Sequence, residues 1–253
     1  MKIILKALSA LWRIWFYTSV LLGILLLLPF LIVTSLSVKT YKQFFFLSRV
    51  WAWVVLVLSG FWPKVKWHEK PQKNQVYIIC PNHVSMIDIM LTLALFGNCF
   101  LFIGKKELSK MPLFGYFYKR TNLLVDRKSL RSRKDVFDRA AVKIDQGIGL
   151  CIYPEGGVPE PEIELAPFKL GAFRLAADKN IPIIPVSYLN NKRHLPFDFW
   201  RGKPGVLQVV VHPFLLAKEN SSEEIERLKT TCFNTILEPL EQADIKAVAH
   251  EIG

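Results

Sequence analysis

From Ile14 to Val38 the chain carries no charged residue. As a helix rising 1.5 Å per residue that run reaches about 37 Å, enough to cross a hydrocarbon core of about 30 Å. A soluble domain has few ways to bury so long an uncharged helix, so the run predicts a membrane-seeking element. It is longer than the apolar core of a signal peptide, and no small-x-small cleavage site closes it. Pro29 interrupts it and offers a kink. Lys2, Lys6 and Arg13 precede it and Lys39, Lys42 and Arg49 follow, so charge sets no orientation. A second apolar segment, Val50 to Trp62, is too short for an ordinary span, and its Trp51, Trp53 and Trp62 suit a membrane interface. Two arrangements fit: one span through the first segment, or a two-helix hairpin sunk in one leaflet. The even charge flanks and the kink suit the hairpin. Pro63 to Asn74 follows with Lys64, Lys66, Lys70 and Lys73, and reads as a basic linker against anionic headgroups, with His68 as a surface residue.

Composition agrees with a membrane-associated chain that also holds a folded domain. Hydrophobic residues make up 51%, and 33 Lys and Arg against 21 Asp and Glu leave a net charge of +12. That surplus suits anionic lipid, a phosphorylated substrate or nucleic acid. Neither a zinc-finger spacing nor an RNP-like aromatic signature occurs, so nucleic acid is not the expected partner. Cys80, Cys99, Cys151 and Cys232 are far apart and lack CxxC spacing. They read as reduced core thiols on a cytoplasm-facing domain, not as disulfides or metal ligands.

From Val76 onward, strand and helix candidates alternate. The strands are 76–80, 99–103, 122–125, 150–153, 183–188 and 207–211; the helices are 86–96, 107–118, 130–146, 168–178 and 222–243. The spacing predicts an α/β fold: a mixed, largely parallel sheet with helical crossovers. The expected division is a membrane-associated helical hairpin over 1–62 and an α/β domain over 63–253.

Chemistry concentrates where the first of these strands ends. Pro81 cannot extend a sheet ladder, and Asn82 and His83 follow it at the carboxyl end of the strand. Ser85 is placed to cap the next helix. His takes a proton from an alcohol near neutrality, and a carboxylate can fix its tautomer and stabilise its cation. His83 and Asp88 are five positions apart and would diverge on one regular helix. They can pair only if His83 precedes the helix and turns back. A strand-to-helix turn with a surface His and a solvated Asp is the plainer alternative.

Further along, Gly104-Lys105-Lys106 follows a strand, where two lysines can meet a phosphate or simply form a solvated turn. Arg127 ends the 122–125 strand and can bind phosphate or pair with Asp126. Tyr153-Pro154-Glu155-Gly156-Gly157 ends another strand. Its glycines let backbone N–H groups approach a ligand closely, and Glu155 can accept a bond from a hydroxyl. His194 and His212 match no motif and read as structural or exposed.

Asn82-His83-x-x-x-x-Asp88 resembles the NHxxxxD motif of the glycerolipid acyltransferases, the family of the bacterial lysophosphatidic acid acyltransferases. Phe102 to Leu108 with Met111 to Gly115 resembles its second block, Tyr153 to Pro159 its FPEGTRS block, and Ile181 to Ser187 its fourth. The four blocks lie in family order between Pro81 and Tyr188. The resemblance implies a membrane O-acyltransferase that moves a fatty acyl group from acyl-CoA or acyl carrier protein to 1-acyl-glycerol 3-phosphate, with neither cofactor nor metal. It implies His83 as general base and Asp88 as its orienting partner. Asn82, Lys105, Lys106, Arg127, Glu155, Gly156 and Gly157 become the expected substrate contacts. It also implies the inner membrane, with the catalytic domain on the cytoplasmic side. One departure matters: Gly157, Val158 and Pro159 stand where the family has Thr, Arg and Ser, so an Arg used on phosphate is missing. Lys169 and Arg174 are available to replace it. That departure keeps open a lyso-aminolipid as acceptor; a non-catalytic lipid-binding protein is the reading from another class.

Overall fold

The computed structural model describes residues 2–160 and 162–252; Met1 and Gly253, the outer ends of the expected division, lie outside the described residues. Seven strands form a sheet in the order β1-β7-β6-β2-β5-β3-β4: β1 (Phe61–Trp67), β2 (Ile78–Pro81), β3 (Phe100–Lys105), β4 (Leu123–Val125), β5 (Gly149–Cys151), β6 (Ile183–Tyr188) and β7 (Gly205–Val211). The pairs β2–β5, β2–β6, β3–β5 and β3–β4 are parallel. Bonds from His212 N–H to Pro185 O and from Leu189 N–H to Gln208 O set β7 antiparallel to β6. The sheet is thus mixed and mostly parallel, as the alternation of elements predicts. By its internal contacts the chain divides into two compact units, 1–66 with 83–97 and 188–210, and 67–82 with 98–187 and 211–253.

The first unit is built on a helical pair. Helix α1 (Lys2–Ser35) contains Pro29, and a 3-10 turn (Val38–Thr40) reverses the chain into α2 (Tyr41–Leu58). Both helices are long and apolar enough to cross a membrane. Most of α1 is bare: Leu22, Leu25, Leu26, Phe30 and Val33 are exposed. Helix α2 begins nine residues before the apolar segment expected at Val50, because the aromatic run Phe44-Phe45-Phe46 is helical too. Its Trp51 faces α1. The ring is buried in the hairpin seam, its indole N–H donates to Val20 O at 3.2 Å, and a Cβ on Gly23 would lie 2.8 Å from the ring. Trp12 and Trp15 donate to Ser59 O and Leu58 O at 3.0 and 2.7 Å, satisfying carbonyls that the end of α2 leaves unpaired.

The expected linker at Pro63–Asn74 is corrected in its first half: β1 runs through Trp67. Phe61, Pro63, Val65 and Trp67 turn inward while Trp62, Lys64 and Lys66 face out, a period of two hidden among the lysines. Pro63 is tolerated because β1 is an edge strand. Helix α3 (Ile87–Leu95) joins the same unit; Arg49 of α2 donates to its last carbonyls, Leu93 O and Ala94 O, at 3.2 Å each. A single helical turn, α7 (Asn191–His194), was not legible in the sequence.

The second unit carries the parallel strands with α4 (Phe114–Thr121), α5 (Leu130–Asp145), α6 (Gly171–Lys179) and α8 (Ser222–Ile252). Strands β2, β5 and β6 are buried at every position, as strands covered on both faces must be. The helix expected at 107–118 is split by Met111-Pro112 into a 3-10 turn (Lys106–Lys110) and α4. Pro81 belongs to β2 and does not merely end it. Strand β5 already stops opposite Ile79, so on that side no partner waits for the missing N–H. Cys80, Cys151 and Cys232 are buried free thiols, Cys99 is half-buried, and burial beside Cys80 pushes the Cys232 thiol up. His212 is buried and bonds Ser187 Oγ at 2.8 Å, and His194 is buried with Nδ1 3.0 Å from Lys203 O, so both have structural partners.

Candidate active site

The chain leaves β2 at Pro81, passes Asn82 and reaches His83 four residues before α3 starts. Asn82 is fully buried and its N–H donates to Val186 O at 3.3 Å. That lead-in lets the His83 ring turn back onto the first turn of α3. Its Nδ1 is 2.9 Å from Asp88 Oδ2. The same oxygen accepts the N–H groups of Val84 and Ser85 at 2.8 Å each, and Oδ1 accepts Asn191 Nδ2–H at 2.8 Å. Asp88 is completely buried, whereas His83 is only partly covered. A buried carboxylate needs such partners. Held this way the carboxylate favours the tautomer in which His83 Nδ1–H donates to it, which leaves the lone pair on Nε2.

Neighbouring bonds stiffen the frame. Ser85 Oγ donates to Leu195 O at 2.7 Å and accepts the Ile87 N–H at 3.3 Å, but the cap position expected of Ser85 is taken by Met86, which makes no side-chain cap bond, because α3 starts one residue later than expected. Thr92 Oγ1 donates to Asp88 O at 2.7 Å and lies 2.6 Å from the hydroxyl of Tyr188. Asn191, Thr92 and Tyr188 were missed by sequence reasoning. Asn191 lies 103 positions from Asp88 in the chain, and no spacing rule links them.

The second unit gathers a different set. Glu155 is buried, with Oε2 accepting the Ala166 N–H at 3.0 Å, so at least one carboxylate oxygen braces its own loop. Gly156 has φ +78°, a conformation that favours glycine. A Cβ there would run into the ammonium end of Lys169, and one on Gly157 would lie 3.2 Å from Arg127 Nη1. Two cations from separate loops thus reach the paired glycines. Arg127 does this while Asp126 Oδ1 accepts the Lys128 N–H at 3.0 Å. Lys169 is held at its backbone by Pro154 O at 2.9 Å.

Lys105 ends β3 exposed, 4.0 Å from Glu107 Oε1, and Lys106 is exposed on the following 3-10 turn. Tyr118 packs against Gly104, where no Cβ would fit. Burial pushes the Tyr118 hydroxyl up to about 12, Arg127 pulls it down and Glu107 raises it further. It therefore stays a neutral donor beside Arg127. Arg174 is exposed on α6. Among the described residues, no group of three or more His, Cys, Asp and Glu could hold a metal ion.

A His bound to a buried, hydrogen-bonded Asp at a strand end is an arrangement able to take a proton from a hydroxyl, as a transferase or hydrolase requires. The family model described as Acyltransferase matches residues 63–189, half of the chain, and the chain belongs to that family. Over 183 residues it is 27% identical to the 1-acyl-sn-glycerol-3-phosphate acyltransferase of Salmonella typhimurium, covering 70% of this chain and 71% of that protein. Over 148 residues it is 27% identical to a chloroplastic 1-acyl-sn-glycerol-3-phosphate acyltransferase of Brassica napus, covering 56% of this chain and 41% of the relative. The match spans 40% and 49% of similarly named relatives from Arabidopsis thaliana and Mycoplasma pneumoniae. The crystal structure of PlsC, the 1-acyl-sn-glycerophosphate acyltransferase of Thermotoga maritima, has the same fold, with a TM-score of 0.74 at 22% identity over 94% of this chain and 97% of that one.

Proposed function

We propose that this protein is an O-acyltransferase that moves a fatty acyl group from a thioester, on CoA or acyl carrier protein, to the free hydroxyl of 1-acyl-glycerol 3-phosphate, giving phosphatidic acid. The observation that carries the reading is the His83–Asp88 pair, with Asp88 held by three further hydrogen bonds. His83 Nε2 takes the hydroxyl proton as the oxygen attacks the thioester carbonyl. The tetrahedral intermediate collapses with cleavage of the C–S bond, and the departing thiolate recovers the proton from the imidazolium. Asp88 stabilises that cation and holds the ring. Neither a metal nor a bound cofactor is called for by these steps.

A substrate phosphate calls for cations. Arg127 and Lys169 beside the Gly156–Gly157 backbone are the principal candidates, with Lys105 and Lys106 secondary. Lys169 supplies at Gly156 the charge that Val158 does not, which supports a phosphorylated acceptor despite the altered block. Glu155 and the glycine backbone shape the loop that meets the glycerol, and Asn82 steadies the lead-in to His83. The relatives' names and the exposed apolar face of α1 support membrane lipids as partners. The thioester donors and the free thiols favour the inner membrane with the domain on the cytoplasmic side.

The test is to offer purified protein both lysophosphatidic acid and a lyso-aminolipid, with labelled acyl thioester on CoA or on carrier protein, and to identify the product. Labelled phosphatidic acid is expected. Acylation of the lyso-aminolipid alone would transfer the same chemistry to the other acceptor, and no transfer to either would overturn the reading.

A further inference from the structure

The segment after α7, Pro196-Phe197-Asp198-Phe199-Trp200-Arg201-Gly202-Lys203-Pro204, has no part in the chemistry above. Three of its side chains are large aromatics turned to solvent: Phe197 is 59% exposed and Trp200 55%, with Phe199 less so. Exposed aromatics crowded into four positions mark a contact surface.

The loop is firmly built. Arg13 of α1 is buried, and its Nη2 donates to Pro196 O and, at 2.9 Å, to Arg201 O, clamping both shoulders of the tip. The guanidinium also lies 5.8 Å from the Phe199 ring centre. Asp198 Oδ1 accepts the Trp200 N–H at 3.0 Å, which fixes the turn, and Phe199 and Trp200 meet edge to face. Gly202 has φ +134°, and a Cβ there would lie 3.0 Å from the Trp12 ring. The aromatics are therefore presented on a rigid frame, at the cost of burying an arginine.

We propose that this loop is a second lipid-contacting element, which lays Phe197, Phe199 and Trp200 into the headgroup region of an anionic bilayer. The inference rests on the reading of α1 and α2 as membrane-embedded. Continuity and charge argue for that occupant. The loop is fastened at Arg13, the last charge before the uncharged run begins at Ile14. Trp15 and Trp62 are also exposed in this unit. Arg201 and Lys203 lie in the loop and Lys192 and Arg193 just before it, against the single acid Asp198. Aromatic rings with adjacent Lys and Arg are the composition of an interfacial anchor. The residues that lead into the loop reach the catalytic frame, Asn191 on Asp88 and Leu195 O on Ser85, so lipid contact would steady the base.

The test reconstitutes the full chain in nanodiscs of phosphatidylcholine, with and without phosphatidylglycerol. In a Cys99→Ser background, Phe197→Cys is labelled with an environment-sensitive fluorophore. Quenching by a headgroup-borne spin label and resistance to aqueous iodide are expected, stronger with phosphatidylglycerol. Arg201→Glu with Lys203→Glu should erase the dependence on anionic lipid. Iodide quenching unchanged by either bilayer would overturn the proposal. Protection gained only on adding acyl carrier protein would likewise overturn it in favour of a protein docking face. Failure of the chain to stay in the nanodisc would instead refute the embedded helices, and turnover of lysophosphatidic acid is read separately.

Discussion

The proposed base and the phosphate-binding candidates are built on opposite plans. Asp88 is fully buried and accepts four hydrogen bonds, three of them from groups outside the His83 ring. Arg127 and Lys169 are exposed, reach the Gly156–Gly157 backbone from separate loops, and rely on glycine to leave room. The first arrangement fixes one geometry; the second gathers charge without fixing it. A proton-transfer group needs hydrogen-bond placement, whereas a phosphate is satisfied by several cations at adjustable distance. Loss of one part of the rigid set should therefore be severe, and loss of one cation partial.

The largest effect is expected at the base. His83→Ala should lower turnover by at least about a hundredfold, with far-UV circular dichroism little changed, because the Val84 and Ser85 N–H groups still hold Asp88 Oδ2. Asp88→Asn should approach it in turnover but also destabilise, since an amide cannot accept all four bonds. Near-normal turnover in stable His83→Ala would remove the base from the mechanism.

Next comes Asn191→Leu, which leaves Asp88 Oδ1 without its side-chain donor in a buried place. An unmet buried group costs about 1–3 kcal/mol. We expect a lower denaturation midpoint, a fall in kcat of roughly tenfold and a changed pH–rate profile, with KM for the lysolipid unchanged. A shift in KM alone would place Asn191 with the binding groups and blur the contrast.

In the cation set, Lys169→Ala and Arg127→Ala should each raise KM for lysophosphatidic acid by about one power of ten, from the loss of one charge-assisted contact, with kcat nearly intact. Fold stability should not move, because both side chains are exposed. A kcat defect in either would mean that the cation also acts on the transition state.

The two plans also differ in how far the sequence discloses them. The alternation of elements from Val76 gives the mixed sheet, and five positions of local sequence are enough to propose the His83–Asp88 pair. The rest of the dyad's frame depends on α7, a single turn with no period to read. Lys169 is visible as a candidate replacement for the missing Arg, but its approach to Gly156 depends on the bond from its N–H to Pro154 O, fifteen positions away. Strand β1 was hidden for another reason: its outward lysines are what an edge strand needs, and they imitate a polar linker. The place of Trp51 in the helix seam was hidden because tryptophan suits both a seam and an interface.

The smallest effect is expected at Lys105. Its block makes it an expected phosphate ligand by resemblance alone, and its side chain is about half exposed and lies 4.0 Å from Glu107. An exposed pair at that distance contributes about 0–1 kcal/mol, so little holds the ammonium in place and little is lost with it. Lys105→Ala should raise KM for lysophosphatidic acid only a few-fold, less than Lys169→Ala measured alongside. The double variant tests independence: additive effects would mean separate contributions to phosphate affinity, and a smaller sum would mean that both cations serve one contact. If instead Lys105→Ala costs more than Lys169→Ala, the second block dominates phosphate recognition as in the family pattern, and Lys169 is not the replacement for the missing arginine.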